Sequence, residues 1–116
     1  MRVRFVAAPA DYLTTLGPLP PGVRVLQRHA ADTAVIQLFV TRRASLHKQL
    51  ATLKTQMPRD GALWISWPKK TSGMATEVAE AEVREAGLAA GLVDVKICAV
   101  DATWSALKFV VRLADR

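Results

Sequence analysis

Gly61-Ala62-Leu63-Trp64-Ile65-Ser66-Trp67-Pro68-Lys69-Lys70-Thr71-Ser72-Gly73 decides the reading of this chain. An apolar run passes straight into a turn that holds Pro, two Lys, two hydroxyls and Gly. A strand buried on both faces of an α/β sheet reads this way, and such sheets bind ligands at the carboxyl edge where the following loop emerges. Working outward, 34–40 is another almost unbroken apolar run and predicts a central strand. A helix follows over 42–56, with Thr41 as its cap. Leu46, Leu50, Leu53 and Met57 recur at i, i+4, i+7 and i+11, which is one buried stripe. Thr76 is expected to cap a second helix over 77–90, with Ala79, Val83, Ala86 and Ala90 inward and Gly91 ending it. Glu80 and Arg84 stand at i, i+4 on that helix.

Residues 93–100 and 106–113 read as strands. Only Asp101-Ala102-Thr103-Trp104-Ser105 separates them, too few residues for a helical crossover, so they form an antiparallel hairpin. At the other end, 3–7 and 23–26 predict strands, and 9–16 a short helix stopped by Gly17-Pro18. The expected fold is α/β: one domain over 1–116, with a mostly parallel Rossmann-like sheet closed by a C-terminal antiparallel hairpin. The chain begins almost directly in a strand, which leaves room for a preceding segment.

The chain has 116 residues, 51% of them hydrophobic, which suits a folded core. No run is long enough to span a bilayer, and 1–6 lacks the apolar stretch of a signal peptide, so a cytoplasmic location is expected. Cys98 is the only cysteine; no internal disulfide can form, and a buried small hydrophobe is the expected role. The charge is uneven. Residues 1–59 hold nine Lys/Arg against Asp11 and Asp32, a net of +7, whereas 60–116 hold seven against eight acids, a net of −1. A basic half of this kind attracts nucleic acid, anionic ligands or acidic partners, or simply keeps a surface solvated.

Two elements carry a resemblance. Trp67-Pro68-Lys69-Lys70-Thr71-Ser72-Gly73 and Ala99-Val100-Asp101-Ala102-Thr103-Trp104-Ser105 are similar to the Trp-Pro-Lys-Lys…Ser-Gly and Ala-Val-Asp-x-Thr-Trp-Ser elements of a family of short bacterial proteins of unknown function. The order of elements over about 33–116 also resembles the later half of the class I S-adenosylmethionine-dependent methyltransferase fold. That resemblance implies a sheet, a ligand edge and, in the family, an adenosyl cofactor. The cofactor signature is missing here. Val6-Ala7-Ala8-Pro9-Ala10-Asp11 has no glycine for a close nucleotide approach, Gln27 and Arg28 stand where a ribose-binding acid would follow the second strand, and Thr41-Arg42-Arg43 replaces the amino-methyltransferase turn. No cofactor is therefore expected.

The candidate ligand-binding residues are Trp67, Lys69, Lys70, Thr71, Ser72, Gly73, Asp101 and Trp104. Cations, hydroxyls and loop N–H groups suit a phosphate or carboxylate, although the P-loop spacing is absent and an ordinary solvated loop reads the same way. Trp64 is expected in the core, Trp67 in the core or against a pocket, and Trp104 partly exposed in the hairpin loop. No His/Cys/Asp/Glu spacing suggests a metal, and no Ser has a recognisable base, so no catalytic residue is assigned. The leading expectation is a non-catalytic methyltransferase-like domain acting through a protein partner or small ligand. The alternatives are an enzyme or sensor for an anionic metabolite or nucleotide at Lys69–Gly73, with Asp101 as its acid or base, and nucleic-acid binding through 1–59.

Overall fold

The computed structural model describes residues 1–10, 12, 17–26, 28, 30 and 33–112. A six-stranded sheet in the order β2-β1-β3-β4-β6-β5 forms the centre of the molecule. Its strands are β1 (Arg2–Val6), β2 (Arg24–Leu26), β3 (Val35–Phe39), β4 (Ala62–Pro68), β5 (Leu92–Ala99) and β6 (Trp104–Val111). The pairs β1–β2, β1–β3 and β3–β4 are parallel, and β6 is antiparallel to both β4 and β5. The sheet is thus the expected Rossmann-like one with an antiparallel C-terminal hairpin. The short helix expected over 9–16 falls largely outside the described residues; Tyr12, which is described, donates its backbone N–H to the Pro9 carbonyl at 3.0 Å.

Among the described residues, the helices α1 (Arg43–Gln56) and α2 (Glu80–Ala89) lie on one face of the sheet. Their buried side chains, Leu46, Leu50 and Leu53 from α1 and Val83 and Ala86 from α2, form one core with Ile36, Leu38, Leu63, Ile65, Leu107 and Phe109. Gly87 makes the close approach possible. A Cβ there would stand 2.1 Å from the Phe109 ring, so only a bare backbone lets α2 lie on β6. Gly91 ends α2 as expected, at φ 88°.

Both expected helix caps are corrected. The N-cap of α1 is Arg42, and Thr41 makes no capping bond. The Arg43 N–H is instead accepted by the Glu77 carboxylate at 3.1 Å, a cap supplied from 34 residues away. α2 begins at Glu80 rather than 77, with Ala79 at its N-cap. Thr76 Oγ1 accepts the Val78 N–H at 3.0 Å, the Glu77 N–H reaches the Thr41 carbonyl at 2.8 Å, and Val78 is buried in the core. Those ties hold 76–78 in a bend at Glu77, so the helix does not start until they are passed.

Trp64, Trp104 and Cys98 are corrected too, whereas Trp67 takes the core place expected of it. Trp64 is only half-buried, on the face away from the helices, with Lys108 Nζ 5.9 Å from its ring centroid. Trp67, on the helix face, belongs to the main core. Trp104 opens β6 instead of sitting in the loop, and it is buried. Cys98 is half-buried because β5 is an edge strand with one neighbour.

Candidate functional site

The parallel strands and the hairpin bring distant residues to one edge. Pro68 at the end of β4 pairs with Trp104 at the start of β6, and Ala99 at the end of β5 pairs with Ser105. The loop after β4 and the β5–β6 turn therefore emerge side by side. Lys69 ties them together: its backbone N–H donates to the Thr103 carbonyl at 2.7 Å, and its Nζ donates to the Asp101 carbonyl at 2.6 Å. Asp101 Oδ1 accepts the N–H groups of Thr103 and Trp104, each at 2.8 Å, and so shapes the turn that carries it.

Lys70–Ser72 make a single 3-10 turn, closed by Gly73 at φ 75°. Ser72 Oγ donates to the Lys69 carbonyl at 2.7 Å and accepts from Met74 N at 3.2 Å. Lys69, Asp101 and Trp104 thus converge, whereas Lys70 and Thr71 are exposed on the outer side of the loop. Lys70 lines a second cleft of about 260 Å³ with Trp67, Thr76, Glu77 and Glu80. Of the eight candidates, Asp101 and Trp104 line one cleft and Trp67 and Lys70 the other, while Lys69, Thr71, Ser72 and Gly73 line neither.

The first cleft, about 350 Å³, lies between the turn after β1 and the hairpin tip, lined by Pro9, Tyr12, Met74, Asp101, Thr103 and Trp104 among others. Beneath it, on the face without the helices, runs an edge-to-face aromatic ladder: Phe5 to Tyr12 at 5.4 Å, Tyr12 to Phe39 at 4.7 Å, and Phe39 to Trp104 at 5.0 Å between centroids. The Tyr12 hydroxyl donates to Gln37 Oε1 at 3.1 Å, and Gln37 Nε2 donates to Ser66 Oγ at 3.0 Å. Burial pushes the Tyr12 phenol above its ordinary pKa, and the negative charge of Asp101 adds to the rise.

Tyr12, Gln37, Ser66, Pro9 and Met74 are absent from the expected site. Gln37 and Ser66 did leave a signal: each is a lone polar residue within an otherwise apolar central strand, and the two lie diagonally across β3 and β4. Tyr12 left none, since nothing in the sequence around it says which strand end it packs on. Among the described residues, no group of three or more His, Cys, Asp or Glu side chains could hold a metal ion, and no helix is long and apolar enough to cross a membrane.

Solved methyltransferases share this fold. The chain superposes on an S-adenosylmethionine-dependent methyltransferase from Aquifex aeolicus with TM-score 0.63 at 15% identity, covering 97% of this chain and 82% of that one. PigF, solved with SAH, gives 0.64 at 12%, covering 96% of this chain and 56% of its own length. A TehB-like methyltransferase from Corynebacterium glutamicum gives 0.54 at 13%, covering 79% and 58%. At such identities the likeness is one of fold, and the chain spans little more than half of PigF. No curated protein matches it. A family profile matches residues 26–113, which is most of the chain, and the protein accordingly belongs to the family of proteins of unknown function DUF3052.

Proposed function

We propose that this protein is a methyltransferase-like domain that works by binding, not by methyl transfer, and that its working surface is the rim formed by Lys69, Asp101, Trp104 and the turn after β1. The observation that carries this reading is the position of Tyr12. In open α/β sheets the ligand crevice lies where the strand order reverses. Here β1 continues outward to β2 while β3 continues the other way, so the reversal falls between β1 and β3. Tyr12 stands at that point, 5% exposed, between Phe5 of β1 and Phe39 of β3 and hydrogen-bonded to Gln37.

The residues present do not fit the adenosyl group that the fold implies. The turn after β1 takes a left-handed backbone at Ala7, φ 58°, but with a methyl group where close approach needs none. Pro9 removes an N–H from the same turn. Leu26 ends β2 and Arg28 lies two residues past it, and neither side chain can accept a hydrogen bond from a ribose hydroxyl.

The rim suits a small ligand or the side chains of a partner. Its loops hold each other through backbone and side-chain bonds, so the 350 Å³ cleft is largely preformed, which lowers the ordering cost of binding. A second reading, an anionic metabolite held at Lys69–Gly73, is favoured by the exposure of Lys70 and Thr71 on a turn closed by left-handed Gly73. Calorimetric titration with S-adenosylmethionine and S-adenosylhomocysteine tests the main proposal. No heat of binding is expected for either; saturable binding that Tyr12→Ala tightens would overturn it. Ligand-induced thermal shifts across a phosphometabolite panel, lost in Lys70→Ala but kept in Asp101→Asn, would move the assignment to the second reading.

A further inference from the structure

We infer that the β2 side of the sheet is a second binding surface, for the phosphate backbone of a nucleic-acid duplex. The sheet order gathers Arg2, Arg4, Arg24 and Arg28, four of the nine cations of the basic first half, on or just past β1 and β2. β2, β1 and β3 come from the basic first half and occupy one side; β4, β6 and β5 come from the second half and occupy the other.

The register concentrates the charge further. Arg2 pairs with Arg24, and Arg4 lies two residues along β1, so all three project from one face at neighbouring positions. Arg4 Nη1 donates to Gln56 Oε1 of α1 at 2.9 Å, which identifies this as the helix-bearing face, with the end of α1 reaching as far as β1. β2 lies beyond, at the sheet edge; Arg24 is exposed there, and so is Arg28 two residues past its end. Parallel neighbours stand about 4.8 Å apart and alternate residues about 6.6 Å, while duplex DNA presents one charge per roughly 1.7 Å of axis, so cations at these spacings meet separate phosphates.

The opposite edge is net acidic: α2 and β5 carry Glu80, Glu82, Glu85 and Asp94 against Arg84 and Lys96, which leaves the β2 end the better suited to face a polyanion. Phe5 belongs to the aromatic ladder on the other face, so no aromatic of β1 or β2 is offered to unstacked bases. The surface therefore reads charge on a duplex and not bases on a single strand.

Fluorescence anisotropy with a labelled duplex oligonucleotide between 50 and 200 mM salt tests this. With Arg4, Arg24 and Arg28 each neutralising one phosphate, the affinity is expected to fall roughly 40-fold over that range. Arg24→Glu and Arg28→Glu should each weaken binding about tenfold and flatten the salt slope by about one. Lys96→Glu makes the same change in net charge on β5, at the far edge, and should leave affinity within about twofold. Absence of binding at 50 mM, equal loss in Lys96→Glu, or tighter binding of the single strand would each overturn the inference. Circular dichroism of the variants confirms that they are folded. Since these arginines are remote in the fold from Lys69 and Asp101, the rim proposal stands or falls separately.

Discussion

The two sides of the sheet are built differently. β2, β1 and β3 are three to five residues long and all parallel, whereas β4, β6 and β5 run seven to eight residues and include both antiparallel pairs. A parallel pair requires a crossover, so the first side places much of its chain in connections. An antiparallel pair needs only a turn, and residues 100–103 suffice between β5 and β6. The second side is also laced by ions: Arg84 donates to Asp94 at 3.0 Å and to Glu80 at 2.9 Å, which ties α2 to β5. The difference separates a frame from the edge proposed above as the working surface. Connections of the first side crowd the sheet's carboxyl edge with Ala7, Pro9 and Tyr12, and the second side holds the hairpin against them.

If that contrast is right, the largest loss should come from the frame. Gly87→Ala drives a methyl group into the Phe109 ring, so α2 must move off β6 or the ring must leave its place in the core. Urea unfolding is expected to show a loss of about 3 kcal/mol, at the upper end of overpacking costs. A loss under about 1 kcal/mol would mean that α2 slides freely, and the second side would no longer count as the rigid one.

Next in size is Asp101→Ala, at the seam between the sides. It leaves the N–H groups of Thr103 and Trp104 without their acceptor, for a loss of about 1 to 2 kcal/mol. The expected signature is local: faster amide hydrogen exchange at Thr103 and Trp104, with β6 beyond them unchanged. Exchange that quickens equally throughout β4 and β6 would show that the turn is part of the frame.

Legibility from sequence follows the same division. β3, α1, β4 and the hairpin were readable because long apolar runs and a 3.6-residue stripe report burial locally. The meeting of Lys69 with Asp101 was readable because strand direction alone sends both to the carboxyl edge. What was not readable is tertiary. Glu77 caps a helix 34 residues earlier, which no capping motif encodes. Trp104 is buried because Asp101 ends its turn early and β6 starts at 104, one residue before the expected loop closes. Gly87 looks like a weak point in a helix until Phe109 lies against it.

Tyr12 packs across β1 and β3, and Tyr12→Phe should cost about 1 kcal/mol by leaving Gln37 Oε1 without its donor. The pH dependence carries the sharper information. A phenol whose pKa is raised in the folded state keeps its proton after the unfolded chain has lost it. Its stabilising contribution is therefore complete below about pH 10 and lost as pH rises through the folded value. Unfolding midpoints between pH 9 and 11 should fall for the natural protein and fall less steeply for Tyr12→Phe. Parallel curves would place the phenol in water and remove the plug from the crevice between β1 and β3.

The smallest effect is expected at Ala7, and its sign is the useful part. A left-handed backbone costs a side-chain-bearing residue roughly 1 to 2 kcal/mol, whereas glycine adopts it freely but gives up about 0.5 to 1 kcal/mol more entropy on folding. Ala7→Gly should therefore stabilise the protein by a few tenths to about 1 kcal/mol, the reverse of an alanine-to-glycine change elsewhere. The same substitution clears the methyl group from the turn without moving Tyr12. If Ala7→Gly alone restored binding of S-adenosylhomocysteine, the methyl group and not the ring would be the block. Unchanged silence toward that ligand, beside a higher urea midpoint, would leave Tyr12 as the residue that separates this edge from its methyltransferase likenesses.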